Sequence, residues 1–473
     1  MSETLTPDIC IIGAGAGGLA LAMGAAAFGV PTVVIEKSEM GGTHLHHGSV
    51  ATRSLAEVAQ AAHDMRNAGQ LGLAASEPRV DYGAVRAHIQ TAITAIAPSL
   101  SEARLQAMNL RVLRGNAHFV SAKSIQIGDV KVEARRFVIA TGAAPALPPI
   151  PGLEYVRALT SETIFELMEL PTHLLVIGAS VHGLELAQAY QRLGSRVTVI
   201  ADSALLPEID DELRQPLFDT LAREGVVLQA PVEAIRIDPD SAGLRASYRH
   251  QGRDETCVAS HVLIAGHRAP NVHGIGLEQA GIAFDHDGIK VKRNFRSSNW
   301  RVHAIGDVIG AGSAQAAQVQ ASLLLRHLLF RQPVAFTPAS AARVIQTDPA
   351  IATAGLSETE ARAKDAALRI YRLPLSEADA AHTGLPAHGL VKAMVGRDGT
   401  VLGASIVGPQ AQELIAPWQL AAMKRLRIED MAAMPIPAMS LADASRRTAL
   451  QHFSAKFRSP SVQSLIGLLR KLG

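Results

Sequence analysis

The stretch "DICIIGAGAGGLALAMGAAAFGVPTVVIEK", Asp8 to Lys37, decides the fold. It reads as a short apolar strand, a glycine turn, an apolar helix and a second strand that ends in an acid. Gly13 permits the tight turn, Gly15 lets backbone approach a pyrophosphate, and Gly18 lets the helix pack close to the strand. The helix N-terminus then faces an anion. Glu36 stands at the spacing that meets a ribose hydroxyl.

The same grammar returns in "THLLVIGASVHGLELAQAYQRLGSRVTVIAD", Thr172 to Asp202. Gly178 and Gly183 keep their places, while Ser180 replaces the middle glycine and is small enough to allow a phosphate near. Ala201 takes the place of the ribose acid, Asp202 follows it, and no arginine stands beside them to meet a 2′-phosphate. That favours NADH over NADPH. Two such units predict an α/β chain with two Rossmann-like domains. Two dinucleotides facing each other suit hydride transfer between a nicotinamide and a flavin.

Composition agrees. A chain of 473 residues exceeds one ordinary core, and 48% hydrophobic with 19% charged residues describes a globular protein. A formal charge of +2 gives no case for nucleic acid. The apolar run from Ile9 to Val30 is broken by glycines and preceded by Glu3 and Asp8, which argues against a signal or membrane segment and for a cytoplasmic location. Cys10 and Cys257 are the only cysteines, far apart and each read as a small buried hydrophobe.

Further segments carry a family resemblance. "RFVIATGAAPALPPIPG", "VLIAGHRAPN" with His267 where glycine is usual, and "RVHAIGDVIG" follow in order. "VIQTDPAIATAGLSETEA" and "LGASIVGPQAQELI" come after them. Together these resemble the flavoprotein disulfide reductases: dihydrolipoamide dehydrogenase, mercuric reductase, glutathione reductase and soluble transhydrogenase. The resemblance implies an FAD-binding domain over 1–152, an NAD(P)-binding domain over 153–271, and a central segment over 272–336 that completes the FAD domain. It further implies a C-terminal α+β interface domain over 337–473, and hence a homodimer. Phe330 to Ser340 reads as a linker. For FAD it implies Gly13, Gly15, Gly18, Glu36 and Lys37, then Gly42, Thr43 and Ala117, then Thr141, Gly142, Gly306 and Asp307. For the nicotinamide nucleotide it implies Gly178, Ser180, Gly183 and Asp202.

The departure from the family lies in "IEKSEMGGTHLHHGSVATRSL", Ile35 to Leu55. The family's first redox cysteine falls on His44, its second on Ser49, and its lysine on Arg53. The C-terminal H-P-x-x-x-E element falls on "IPAMSL", so its histidine is Ile436 and its glutamate Leu441. Disulfide exchange needs a thiolate and a partner sulfur, and a dithiol substrate needs a base. Reduction of lipoamide, glutathione or mercuric ion by the family mechanism is therefore rejected. What remains is an NAD(P)H oxidoreductase that hands electrons from flavin to a quinone, a dye-like small molecule or another carrier. Arg53, Glu185, His44 and Ser49 are its candidate catalytic residues, with Arg53 facing Glu185 as a charge pair. The alternatives are soluble transhydrogenation and a non-catalytic flavin-binding scaffold.

His44, His46 and His47 invite a metal, but no cysteine or carboxylate nearby completes a tetrahedral set, so none is assigned. A proton-donating histidine beside the flavin and a space-filling one are the other readings. Downstream of Asp443 the tail has basic residues and no acid, and "SPSVQSLIGLLRKLG" puts Val462, Leu465, Ile466 and Leu469 on one helical face. Packing on the chain or its dimer mate is favoured over an anionic membrane.

Overall fold

The computed structural model describes residues 3–310, 312–337, 341–384, 388–454 and 460–471. The chain forms two compact units. The first comprises Met1–Met65, Glu77–Leu205 and Glu224–Phe336; the second comprises Arg66–Ser76, Leu206–Arg223 and Thr337–Gly473.

The first unit holds a five-stranded parallel sheet in the order Val302–Ala304, Arg136–Ile139, Ile9–Ile12, Thr32–Glu36, Arg111–Arg114. Its central strands Ile9–Ile12 and Thr32–Glu36 are buried along their whole length, as expected of a parallel sheet covered on both faces. Cys10 and Ile12 point to one core with Ile35, Phe137 and Ile139; Ile9 and Ile11 point to the other with Leu21, Val34 and Val138. The Asp8–Lys37 reading is met as strand Ile9–Ile12, helix Ala16–Ala27 and strand Thr32–Glu36. That helix lies so close to helix Ala314–Phe330 that a Cβ on Gly24 would stand 2.6 Å from Leu325 Cδ2. The first strand has later-added strands on both sides, so a crevice opens at the carboxyl ends.

The same unit holds a second parallel sheet, Ala158–Thr160, His261–Ile264, His173–Ile177, Arg196–Ile200, Val227–Gln229. Three antiparallel strands, Val232–Asp240, Gly243–His250 and Arg253–Ala259, pack on it and bury Cys257.

One residue of the first sheet sets an acid limit. His303, in strand Val302–Ala304, is 2% exposed, and its Nδ1 has no hydrogen-bond partner. Burial pulls its pKa down to about 3, and His327, Arg136 and Arg296 add to the effect. The folded chain therefore keeps this imidazole neutral where the unfolded chain binds a proton. Between the unfolded value near 6.5 and the folded value, stability falls as pH falls. The expected loss is on the order of a few kcal/mol by pH 4. Denaturant melts of His303→Phe, compared with wild type at pH 7 and pH 4.5, check it: the variant shows the smaller pH dependence.

The second unit is built on an antiparallel sheet, Arg343–Ile345, Ala350–Gly355, Val401–Gly408, Leu390–Val395, Arg369–Pro374. Trp418 is fully buried behind it, and its indole N–H donates to Ser445 Oγ at 3.0 Å. Residues 66–76 and 206–223 group with this unit. Residues 206–223 are tied to it at Lys392. Its ammonium, 1% exposed in strand Leu390–Val395, is caged by Asp210 at 2.5 Å, Glu358 at 2.6 Å and Glu212. Arg372 reinforces the cage, meeting Glu212 at 2.7 Å and Glu358 at 3.1 Å. Burial alone would depress the Lys392 pKa; the three carboxylates outweigh it and hold the value above the ordinary one.

The tail helix Pro460–Leu469 forms, but Leu465, Ile466 and Leu469 are each about half exposed, so the expected packing on the chain itself is not made there. Lys456 and Arg458 lie outside the described residues. No described helix is long and apolar enough to cross a membrane.

Candidate active site

A cleft of about 1000 Å³ opens at the carboxyl ends of strands Ile9–Ile12, Thr32–Glu36 and Arg136–Ile139. Its floor is the glycine turn. Gly13 has φ +104°, and a Cβ there would lie 2.4 Å from the Ala140 carbonyl oxygen. Gly15 lines the cleft and begins helix Ala16–Ala27 without a side-chain cap, which leaves the first helical amides for an anion. Gly18 does not line the cleft; a Cβ on it would stand 1.9 Å from the Gly13 oxygen, so it serves the close packing of helix on turn.

At the end of the second strand Glu36 is 8% exposed. Its carboxylate accepts from the Ala14 amide at 2.6 Å and the Ser38 amide at 2.8 Å, and it lines the cleft. The carboxylate is thus fixed while lone pairs remain for a hydroxyl. Lys37, Gly42, Thr43 and Ala117 line the same cleft. So do Thr141 and Gly142 on one wall and Gly306 and Asp307 on another. Burial raises the Asp307 pKa, and Arg268 opposes the rise. Asn271, not singled out from sequence although it ends "VLIAGHRAPN", staples the wall: Thr141 Oγ1 donates to its carbonyl at 2.9 Å and its Nδ2 donates to the Thr141 carbonyl at 2.8 Å. Glycine turn, open helix end, anchored acid and cleft volume together fit a dinucleotide of the FAD type.

His44, His47 and Ser49 line the cleft as well. His44 Nδ1 and His47 Nδ1 are buried without a partner. Burial holds both imidazoles below their ordinary pKa; Glu162 and Glu166 partly counter this at His47. His46 Nε2 lies 2.9 Å from the Met40 carbonyl oxygen. Helix Gly42–His46 ends before His47, whose φ of −136° lies outside the helix. Among the described residues, possible ligand atoms converge only at Asp285–His286–Asp287 and at Asp210–Glu212–Glu358. The first group is exposed and the second surrounds Lys392, so the three histidines form no such cluster.

Arg53 and Glu185 do not line the cleft. The Arg53 guanidinium is engaged by Glu57, one turn on in helix Ser49–Asn67. Glu185 meets His182 Nδ1 at 3.5 Å, and His182 Nδ1 lies 3.4 Å from Thr52 Oγ1. Arg53, read as the partner of Glu185, is instead paired with Glu57, four residues on along one helix face.

In the second fingerprint Gly178 has φ +127°, and a Cβ there would lie 2.5 Å from the Ala265 carbonyl oxygen. Gly183 is as tight, 2.7 Å from Ala265 Cβ. The serine departure has a structural effect: Ser180 Oγ accepts the Gly183 amide at 3.1 Å and caps helix Val181–Leu193. The amide left open in the first fingerprint is occupied in the second. Asp202 is exposed just past strand Arg196–Ile200.

Residues 7–321 match the family described as pyridine nucleotide-disulphide oxidoreductase, and residues 341–449 match its dimerisation domain. The chain belongs to this family. A mercuric reductase of Streptomyces lividans is 30% identical over 451 residues, covering 93% of this chain and 95% of that one. A dihydrolipoyl dehydrogenase of Thermus scotoductus is 32% identical over 447 residues, covering 90% of this chain and 93% of its own. The crystal structure of LpdA from Mycobacterium tuberculosis superposes with a TM-score of 0.86 at 27% identity, over 95% of this chain and 99% of that one. The family consists of FAD-dependent oxidoreductases that use pyridine nucleotides.

Proposed function

We propose that this pyridine nucleotide-disulphide oxidoreductase family member is an NADH-dependent flavoenzyme that passes electrons directly to a non-disulfide acceptor of the quinone class. The overall reaction balances as NADH plus H⁺ plus quinone giving NAD⁺ plus hydroquinone. FAD, when bound, supplies the two-electron carrier between them. Gly13, Gly15 and the open helix end would hold its pyrophosphate, Glu36 its ribose, and Asp307 its ribityl chain. Gly178, Ser180, Gly183 and Asp202 would hold the nicotinamide nucleotide, and Glu185 with His182 would orient it. The absence of an arginine beside Asp202 supports NADH over NADPH.

One observation carries the reading. His44 and Ser49 stand at the cleft, and the only two sulfur-bearing thiols in the sequence are buried away from it, Cys10 at 0% and Cys257 at 8% exposure. His44, whose pKa burial holds below the ordinary imidazole value and whose Nδ1 is unpartnered, is a group that can hold or move a proton at that atom.

Anaerobic titration of the holoenzyme with NADH tests the proposal. The expected uptake is about two electrons per FAD, without the long-wavelength band of a thiolate beside flavin. Uptake of about four electrons would overturn it. Flavin that NADH fails to reduce would favour a binding scaffold.

A further inference from the structure

A second cavity, of about 520 Å³, lies beside the cleft and shares His46, His47 and Glu162 with it. Its volume falls within the range of small-molecule sites. Helix Tyr82–Ile96 forms one wall with Arg86, Ile89 and Ile93, and the turn Ile164–Glu166 supplies Phe165 and Glu166. Two nitrogens in these walls are buried without a partner: Arg86 Nε and His47 Nδ1. Buried polar atoms without a partner are rare, and each costs about 1 to 3 kcal/mol unless something supplies the missing bond.

We propose that this cavity is the docking site of the electron acceptor, a quinone of one or two rings. The inference rests on the non-disulfide reading given above and adds a location and a chemistry to it. An Arg Nε always carries a proton, so it asks for an acceptor oxygen. A quinone carbonyl provides that oxygen, whereas a disulfide offers only weakly accepting sulfur. The body of the ligand would meet apolar Ile89 and Ile93 and the ring of Phe165, which favours a flat apolar ring. Glu162 and Glu166 on the facing wall disfavour a ligand with its own negative charge. Glu162 is itself steadied by Arg268 at 3.1 Å, and Arg86 Nη1 donates to Met168 Sδ at 2.9 Å, so the Arg86 Nε is the donor left toward a ligand. His47 stands where cavity and cleft meet, so a ring seated against it lies next to the flavin cleft.

Two variants test the site in the FAD-loaded protein, with menadione as the probe. Ala87→Phe fills the cavity from an exposed helix position, so the fold tolerates it; Arg86→Met removes the unpartnered donor. Three measurements are made: menadione binding to the oxidised protein by equilibrium dialysis, menadione KM and kcat, and anaerobic reduction of the flavin by NADH. In both variants Kd and KM for menadione rise about tenfold or more, while the rate of flavin reduction by NADH stays at the wild-type value. Folded variants with unchanged Kd and KM overturn the location while leaving the quinone reading standing. Wild-type protein that neither binds nor reduces menadione overturns the quinone reading itself, and the location with it.

Discussion

Lys392→Met lowers the stability of the C-terminal unit by about 3 to 5 kcal/mol at neutral pH. The ammonium is 1% exposed and lies between Asp210, Glu212 and Glu358. Remove it, and three crowded carboxylates remain, with Arg372 beside Glu212 and Glu358 and Arg362 beside Glu358 to offset them. The variant also carries a pH signature. Without the ammonium the cluster ionises less readily in the fold than in the unfolded chain, so its folded pKa values rise above the unfolded ones. A raised folded pKa adds stability at low pH and withdraws it as pH climbs through the folded value. The methionine variant therefore recovers stability as pH is lowered from 7 towards 4. This site in the wild type does the reverse. Although burial opposes it, Arg372 and Lys392 hold Glu212 below the ordinary carboxylate range, and Lys392 with Arg362 does the same for Glu358. Depressed carboxylate values give stability that is lost as pH falls. Denaturant melts at pH 7 and pH 5 measure both slopes. A variant as stable as wild type at pH 7 counts against the cage.

Gly18→Ala is expected to cost the protein its flavin. The added Cβ would stand 1.9 Å from the Gly13 carbonyl oxygen and 3.4 Å from Ile11 Cγ2, and backbone must move to admit it. What moves is the turn that shapes the floor of the cleft. We expect FAD affinity to drop at least about a hundredfold, together with a lower melting temperature of the apoprotein. Gly15→Ala separates the two effects. A Cβ on Gly15 meets nothing within 4 Å of protein, and the residue lines the cleft. That variant melts like wild type without flavin, yet binds FAD more weakly because its methyl group takes up space at the pyrophosphate position. Flavin content after gel filtration and thermal melts of the apoprotein decide between these outcomes.

The glycine turns, the strand-ending acid and the missing thiols were legible because each is a local pattern tied to one backbone conformation. Gly13 and Gly178 both adopt positive φ, and Glu36 is anchored where its spacing placed it. The Arg53 partner was not legible in the same way. Resemblance to the family implies a pair with Glu185, while a competing acid, Glu57, sits one helical turn away and takes the guanidinium. The i to i+4 spacing of Arg53 and Glu57 favours that local pair over a distant one. Other features depend on contacts far apart in the chain. Asp210 and Glu212 reach Lys392 across about 180 residues, and Thr141 is tied to Asn271 across 130. No window of neighbouring residues carries such information. The second cavity belongs to the same class, since its walls come from three separate segments.

The placement of the two thiols has a consequence for survival under chemical attack. Cys10 is wholly enclosed, burial pushes its thiol far up, and burial raises Cys257 as well. Neither offers a thiolate to arsenicals, organomercurials or peroxide, which poison dithiol flavoenzymes by trapping the very sulfurs they work with. Under the function proposed above, turnover is expected to persist in the presence of these reagents.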